Sequence, residues 1–281
     1  MRCQRLKIAI VLTGAVMCAN AQWLNYPTPG TPRTKDGKPN LSAPAPRASN
    51  GKPDLSGVWQ VDPAPGEMER KIGDVGTFAV PGDDPREFSP YFFNILADFK
   101  REDAPMLPAA AEVFMKNART YGKEHPYGRC LPMGVPSTEL IAVPFKIIQT
   151  SGILVMLNEL DFTYRQIYTD GRPLPVDPQP SWLGYSTGRW ESDTLVVTTA
   201  GFNDKGWLDV FGHTHSEALR VEERFRRRDF GHMELQITID DPKTFTKPFT
   251  IKVNQRLIPD SDIIETVCAE NERDRVHTAD K

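Results

Sequence analysis

The chain has 281 residues, of which 39% are apolar and 25% charged, and 25 are proline. That much proline disfavours a helical bundle, while the apolar share is enough for a packed core and excludes a disordered chain. The formal net charge is −3, and no apolar run after the N-terminus approaches the ~20 residues that span a bilayer.

In residues 1–21, Arg2, Arg5 and Lys7 precede the apolar stretch Ile8 to Cys18 and then Ala19-Asn20-Ala21. This is the pattern of a secretory signal, with cleavage expected between Ala21 and Gln22 and release to the periplasm or the exterior. Met17, where a lipid-anchoring signal needs a small residue, argues for simple release at this end. Losing Arg2, Arg5 and Lys7 takes the basic count from 34 to 31 against 37 acidic residues, a net charge of −6. Such a balance is unsuited to nucleic-acid binding, whose affinity comes largely from neutralising phosphates. Arg224, Arg226, Arg227 and Arg228 cluster, but Glu222, Glu223 and Asp229 flank them, as on a solvated strand end.

Residues 22–54 hold seven prolines and almost no apolar periodicity, which predicts an extended arm. Within it Gly37-Lys38-Pro39-Asn40-Leu41-Ser42 is echoed by Gly51-Lys52-Pro53-Asp54-Leu55-Ser56. A single β-rich domain over 55–281 follows. Its first strand surrounds Trp59, a long loop covers 62–87, and a helical insertion occupies about 88–121. Ser89-Pro90 caps and starts one helix, with Tyr91, Phe92, Ile95, Leu96 and Phe99 on its apolar face, and Leu107 to Ala118 forms a second.

From residue 138 onward the apolar period changes to two. Candidate strands lie at 141–147, 153–157, 162–168, 185–190, 195–199, 219–225, 233–239, 249–257 and 263–268. With the strand at Trp59 there are about ten, joined mostly by short turns. These predict a mainly β fold, an antiparallel up-and-down barrel or strongly curved sheet with two short helices, with a sandwich as the alternative. Cys130 and Cys268, the cysteines left after the leader, would form one disulfide in an oxidising compartment.

Gly57-Val58-Trp59 resembles the Gly-x-Trp signature of lipocalin and calycin barrels, which implies a Trp packed across the closed end. Gly188-Arg189-Trp190 repeats it. A broader resemblance is to a family of exported bacterial proteins of unknown function. It is carried by residues 51–59, by Cys130-Leu131-Pro132, and by Tyr168 to Pro175. It continues through Gly188 to Glu191 with Asp193 to Val197, Gly201-Phe202-Asn203-Asp204 and His215 to Arg220. That resemblance implies a location more than a chemistry.

Two candidate sites emerge. If His213-Thr214-His215-Ser216-Glu217 were a strand, His213, His215 and Glu217 would share one face as ligands for a divalent metal. The His-x-His resembles that of cupin barrels. Asp204 or Asp209 would be the extra ligand, since His232 lies 13 residues of strand, roughly 43 Å, from His215. The second candidate is a ligand site at one end of the barrel, built from Tyr185, Arg189, Asn203, Asp204, Trp207, Asp209, His213, His215 and Glu223. Equally, Trp207 and Phe211 would plug the barrel mouth. Glu223, Gln255 and Glu265 interrupt apolar faces and should point inward. The functional expectation is a small molecule bound in a barrel cavity. The alternatives are a metal-assisted hydrolase, lyase or isomerase using His213, His215 and Glu217, and an envelope interaction module acting through the arm. Whether the protein is an enzyme stays open at this point. No nucleophile elbow, Walker loop, dinucleotide fingerprint or His-Glu-x-x-His is present.

Overall fold

The computed structural model describes residues 26–62, 89–120, 123–160 and 162–268. The leader, its cleavage site and nearly all of the 62–87 loop lie outside them. Among the described residues, nine strands close into a barrel in sequence order. They are β1 (Gly57–Val61), β2 (Phe145–Gln149), β3 (Ile153–Asn158), β4 (Tyr164–Tyr168), β5 (Tyr185–Glu191), β6 (Thr194–Ala200), β7 (Arg220–Arg227), β8 (His232–Asp240) and β9 (Phe249–Leu257). Three short helices accompany them: α1 (Pro90–Phe93), α2 (Pro108–Arg119) and α3 (Ser137–Leu140).

Strand direction alternates around an up-and-down barrel, so an odd number of strands cannot close with antiparallel pairs alone. One joint must be parallel, and here it is β4 with β5, while every other pairing is antiparallel. A parallel joint needs a crossover instead of a hairpin. Residues 169–184, which include Pro173, Pro175, Pro178 and Pro180, return along the outer wall to provide it. The up-and-down expectation therefore holds except at this seam.

The barrel interior is packed. Along β8, Met233, Leu235, Ile237 and Ile239 point in, and Phe249, Ile251, Val253 and Leu257 do so along β9. Trp59, Phe145, Phe225, Leu154 and Met156 fill the space between them. Side chains occupy the room that a central ligand would need, as in other small barrels.

The predicted tenth strand, 263–268, does not form. β1 and β9 pair directly, with Trp59 opposite Leu257, which leaves no edge for it. Only Thr266 bridges to Leu160, and Glu265, expected inside, is exposed. Helix α1 also stops earlier than expected. Ser89 caps it and Pro90 starts it, but the carbonyls of Phe92 and Phe93 accept from Val210 and Phe211 at 3.0 and 3.2 Å. The amide of Ile95 donates to Asp209 Oδ2 at 2.6 Å. The 209–211 segment thus takes the bonds that would have continued the helix.

These contacts build a lid over one barrel end. Asn117 Nδ2 of α2 donates to the Gly212 carbonyl at 3.0 Å, Leu107 N–H donates to the Thr244 carbonyl at 2.9 Å, and Phe202, Leu208 and Phe211 are buried beneath. The plug reading of Trp207 and Phe211 is the one the fold realises. Cys130 and Cys268 are disulfide-bonded with Cα atoms 5.5 Å apart, tying the lid to the segment after β9.

At the opposite end Trp59 is fully buried, and its indole N–H donates to the Leu55 carbonyl at 2.9 Å. Arg227 lies with its guanidinium 4.9 Å from that ring. It donates to the carbonyls of Asp54, Ser56, Asp229 and Phe230, and burial pushes its pKa down to about 10. Arg227 therefore departs from the solvated cluster expected of it. Its neighbours Arg224, Arg226 and Arg228 do stay on the surface, paired with Glu191, Glu222 and Glu234.

The arm is folded against this end over its described residues, and is not the extended linker that its composition predicts. Its echo is structural. Arg33 donates to the Gly37 carbonyl at 3.1 Å and forks onto Asp260, while Arg47 donates to the Gly51 carbonyl at 2.8 Å and forks onto Asp193. Asn40 N–H bonds the Pro32 carbonyl as Asp54 N–H bonds that of Pro46, at 2.7 and 2.9 Å. Leu41 packs on Gly231, where any Cβ would lie 2.5 Å from Leu41 Cβ. An arm docked this way is not free to act as a separate interaction module.

Candidate functional site

The His213 to Glu217 segment is not a strand, apart from a single bridge between Thr214 and Trp207. His213 Nδ1 donates to Asp209 Oδ2 at 2.5 Å, and its ring stacks on Phe114 with centroids 3.9 Å apart. Asp209, fully buried, also accepts from the backbone N–H groups of Ile95, Gly212 and His213. His215 Nδ1 donates to the Ser216 carbonyl at 3.1 Å, and its ring stands edge-on to Phe202. Burial lowers its pKa. Glu217 is exposed. The two histidines have separate partners and Glu217 faces solvent, and no group of three or more His, Cys, Asp or Glu among the described residues is placed to hold a metal. The residues do not fit a divalent ion. Of that candidate site the Asp209–His213 pair survives, as a buried pin between lid and barrel. His232 pairs with Asp229 at 2.7 Å at the far end, away from His215 as the strand geometry required.

His125 joins this pin from the lid. Its Nδ1 accepts from Tyr127 N–H at 3.1 Å, its Nε2 is buried without a partner, and its ring meets Trp207 edge-on. Burial pushes its pKa down to about 4. A base with a depressed folded-state pKa contributes stability that is complete above its ordinary value of 6.5 and is lost as pH falls toward 4. The loss through this one group is roughly 3 kcal/mol. His125→Asn keeps the acceptor for Tyr127 and removes the titration, so its urea-unfolding stability should change less between pH 7 and 4.5 than that of the wild type. Equal slopes in the two proteins would refute the assignment.

Glu223 does point inward, and its partner is Arg165. The two residues and Glu139 on α3 are 0%, 3% and 1% exposed. Arg165 forks onto both Glu223 oxygens, donates to Glu139 Oε1 at 3.0 Å, and reaches Ser186 Oγ and Thr199 Oγ1 at 3.0 and 2.7 Å. All five of its N–H donors are engaged. Burial works against the cation, but Glu223 and Glu139 outweigh it and hold its pKa above the ordinary value. Burial and the neighbouring Glu223 push Glu139 up to about 8, and Thr138 Oγ1 lies 2.9 Å from its other oxygen. Two acids thus share one cation in the core, and Glu139 is the one whose protonated form burial favours. Gln255, also inward, donates to the Glu139 carbonyl at 2.8 Å.

Arg165 and Ser186 also form the floor of a cleft of about 790 Å³ on the outer wall. The parallel seam creates it. β4 and β5 pair only through Ile167 with Ser186 and Tyr168 with Thr187, against seven paired positions between β5 and β6. Residues 164–166 thus face the crossover instead of a strand. Phe162, Tyr164 and Tyr185 line the cleft at 50%, 61% and 37% exposure, with Tyr168 and Trp182 beside them. Gly184 turns the crossover into β5 at φ +62°, where a Cβ would meet the Ala200 carbonyl at 2.9 Å.

The residues expected at a mouth site are distributed differently. Tyr185 is in the cleft, its hydroxyl donating to the Gln179 carbonyl at 3.0 Å. Asn203 sits behind it, its N–H bonded to Ser181 O at 2.9 Å. Arg189 lies on the outer face paired with Glu191, and Asp204 is exposed. Trp207, Asp209, His213 and His215 belong to the lid contacts, and Glu223 to the core. Tyr164, Arg165, Tyr168 and Trp182 were not anticipated at a site. The legible signal was that Arg165 shares the face of Ile167, the one aliphatic residue in Tyr164–Tyr168.

Fold and site together define a lidded nine-stranded β-barrel with a packed interior and an aromatic cleft at its parallel seam. No known protein family, curated protein or solved structure matches the chain. Among the described residues no helix is long and apolar enough to cross a membrane.

Proposed function

We propose that the protein is exported and binds a small molecule in the cleft at the β4–β5 seam. Its volume lies within the ~300–1,000 Å³ range of small-molecule sites. The observation that carries the reading is the grouping of Phe162, Tyr164 and Tyr185, three large aromatic side chains left exposed around one concavity. Clustered exposed apolar surface is costly to maintain in water and marks recognition sites. Export is supported by the leader-like residues 1–21 and by the disulfide, a bond that persists in oxidising compartments. The Gly-x-Trp at Trp59 agrees with kinship to ligand-binding barrels, although the ligand position proposed here is the wall and not the lumen.

A library of neutral fragments screened by ligand-observed NMR tests the reading. Hits are expected that weaken about tenfold when Tyr164 and Tyr185 are both changed to Ala, the equivalent of one lost stacking contact. Tyr164 is exposed and Tyr185 gives up one surface hydrogen bond to Gln179, so the unfolding temperature should move little. Hits that ignore the double substitution, or no hits, would overturn the proposal.

A further inference from the structure

We infer that the ligand of the seam cleft is a neutral oligosaccharide. The inference rests on the cleft being the binding site. Charge decides the first step. The cleft's cations are Arg165 and Arg172, and both face carboxylates: Arg165 is buried with Glu139 and Glu223, and Arg172 pairs with Asp170 through its Nε and Nη2. An anionic ligand such as a phosphate or carboxylate would have to compete with Asp170 for Arg172 and would meet that carboxylate's repulsion beside it. A quaternary ammonium is disfavoured in turn, because the Arg172 guanidinium lies 3.8 Å from the Tyr168 ring centroid, covers that ring and repels a second cation beside it.

The shape of the cleft separates the remaining neutral ligands. An apolar aromatic molecule gains most from an enclosed pocket that covers the greater part of its surface. Rings such as Phe162 and Tyr164 that are half exposed or more cannot enclose a ligand; they present one face to it. Sugar rings suit that arrangement, since their C–H face stacks on an aromatic ring while hydroxyls at the edge seek hydrogen bonds. The polar atoms at the cleft are neutral ones. The Tyr164 hydroxyl and the Trp182 indole N–H have no protein hydrogen-bond partner among the described residues, and Gln166 uses only its carbonyl oxygen, which accepts from Tyr168 at 2.7 Å. A chain of sugar units laid across the rings from the β4 edge to the proline-rich crossover would satisfy the stacking and the donors together.

The test is a glycan array carrying neutral, sulfated and sialylated saccharides, probed with the full-length protein. Neutral glycans are expected to bind, with signal lost in the Tyr164→Ala, Tyr185→Ala double variant and retained in Arg189→Ala, whose side chain is on the outer face away from the cleft. Silence across the array, binding confined to acidic glycans, or binding untouched by the double variant would overturn the inference. If the array is silent while neutral fragments still compete at the cleft, the saccharide assignment falls and the cleft stands. If both fail, both fall.

Discussion

Arg165→Met is expected to destabilise the protein by about 3–5 kcal/mol, the cost of leaving a buried charge unpaired. Methionine fills much of the same volume, so the loss is electrostatic: Glu223 is left with no cation, and Ser186 and Thr199 lose their shared donor. The deficit should largely disappear when Glu223 and Glu139 are replaced by leucine in the same chain, since no buried carboxyl group is then left without its partner. Urea unfolding of the single and triple variants checks this. A single variant within 1 kcal/mol of wild type would mean that the network adds little to stability.

The second large effect is expected at the disulfide. Cys130 and Cys268 are 138 residues apart, and the chain-entropy estimate for cross-linking so long a loop is about 5 kcal/mol. The Cys130→Ser, Cys268→Ser double variant should approach that loss as an upper bound, and the wild type in reductant should behave like it. The tie joins the lid region to the segment following β9, so proteolysis of the reduced protein should begin there while the barrel persists. Reduction without any change in the unfolding midpoint would contradict this role.

The strands were legible because their chemistry is local. Met233 to Ile239 and Phe249 to Leu257 alternate strictly, and a one-residue slip would put a whole face in water. Glu223 was legible for the same reason, as an acid standing in an apolar row. Its cation was not, because the phase of Tyr164–Tyr168 rests on one isoleucine against three aromatic or amide side chains. Competition over long separations was also invisible. The Asp209 carboxylate ends α1 from more than a hundred residues away, and the direct β1–β9 pairing removes the place of a tenth strand. The His213-Thr214-His215 spacing pointed to a metal only if the segment were extended, and the backbone there serves the lid instead. The parallel seam follows from the parity of the strand number, so an estimate of ten strands concealed the feature that makes the cleft.

The twin loops of the arm act as a pair of clips. Arg33 grips Asp260 and Arg47 grips Asp193. The arm therefore reaches across the barrel end to two segments far apart in the chain, the β5–β6 turn and the stretch after β9. Because the two loops share one geometry, each arginine held by its own glycine carbonyl, the arm clamps two separate parts of the barrel end with one repeated device.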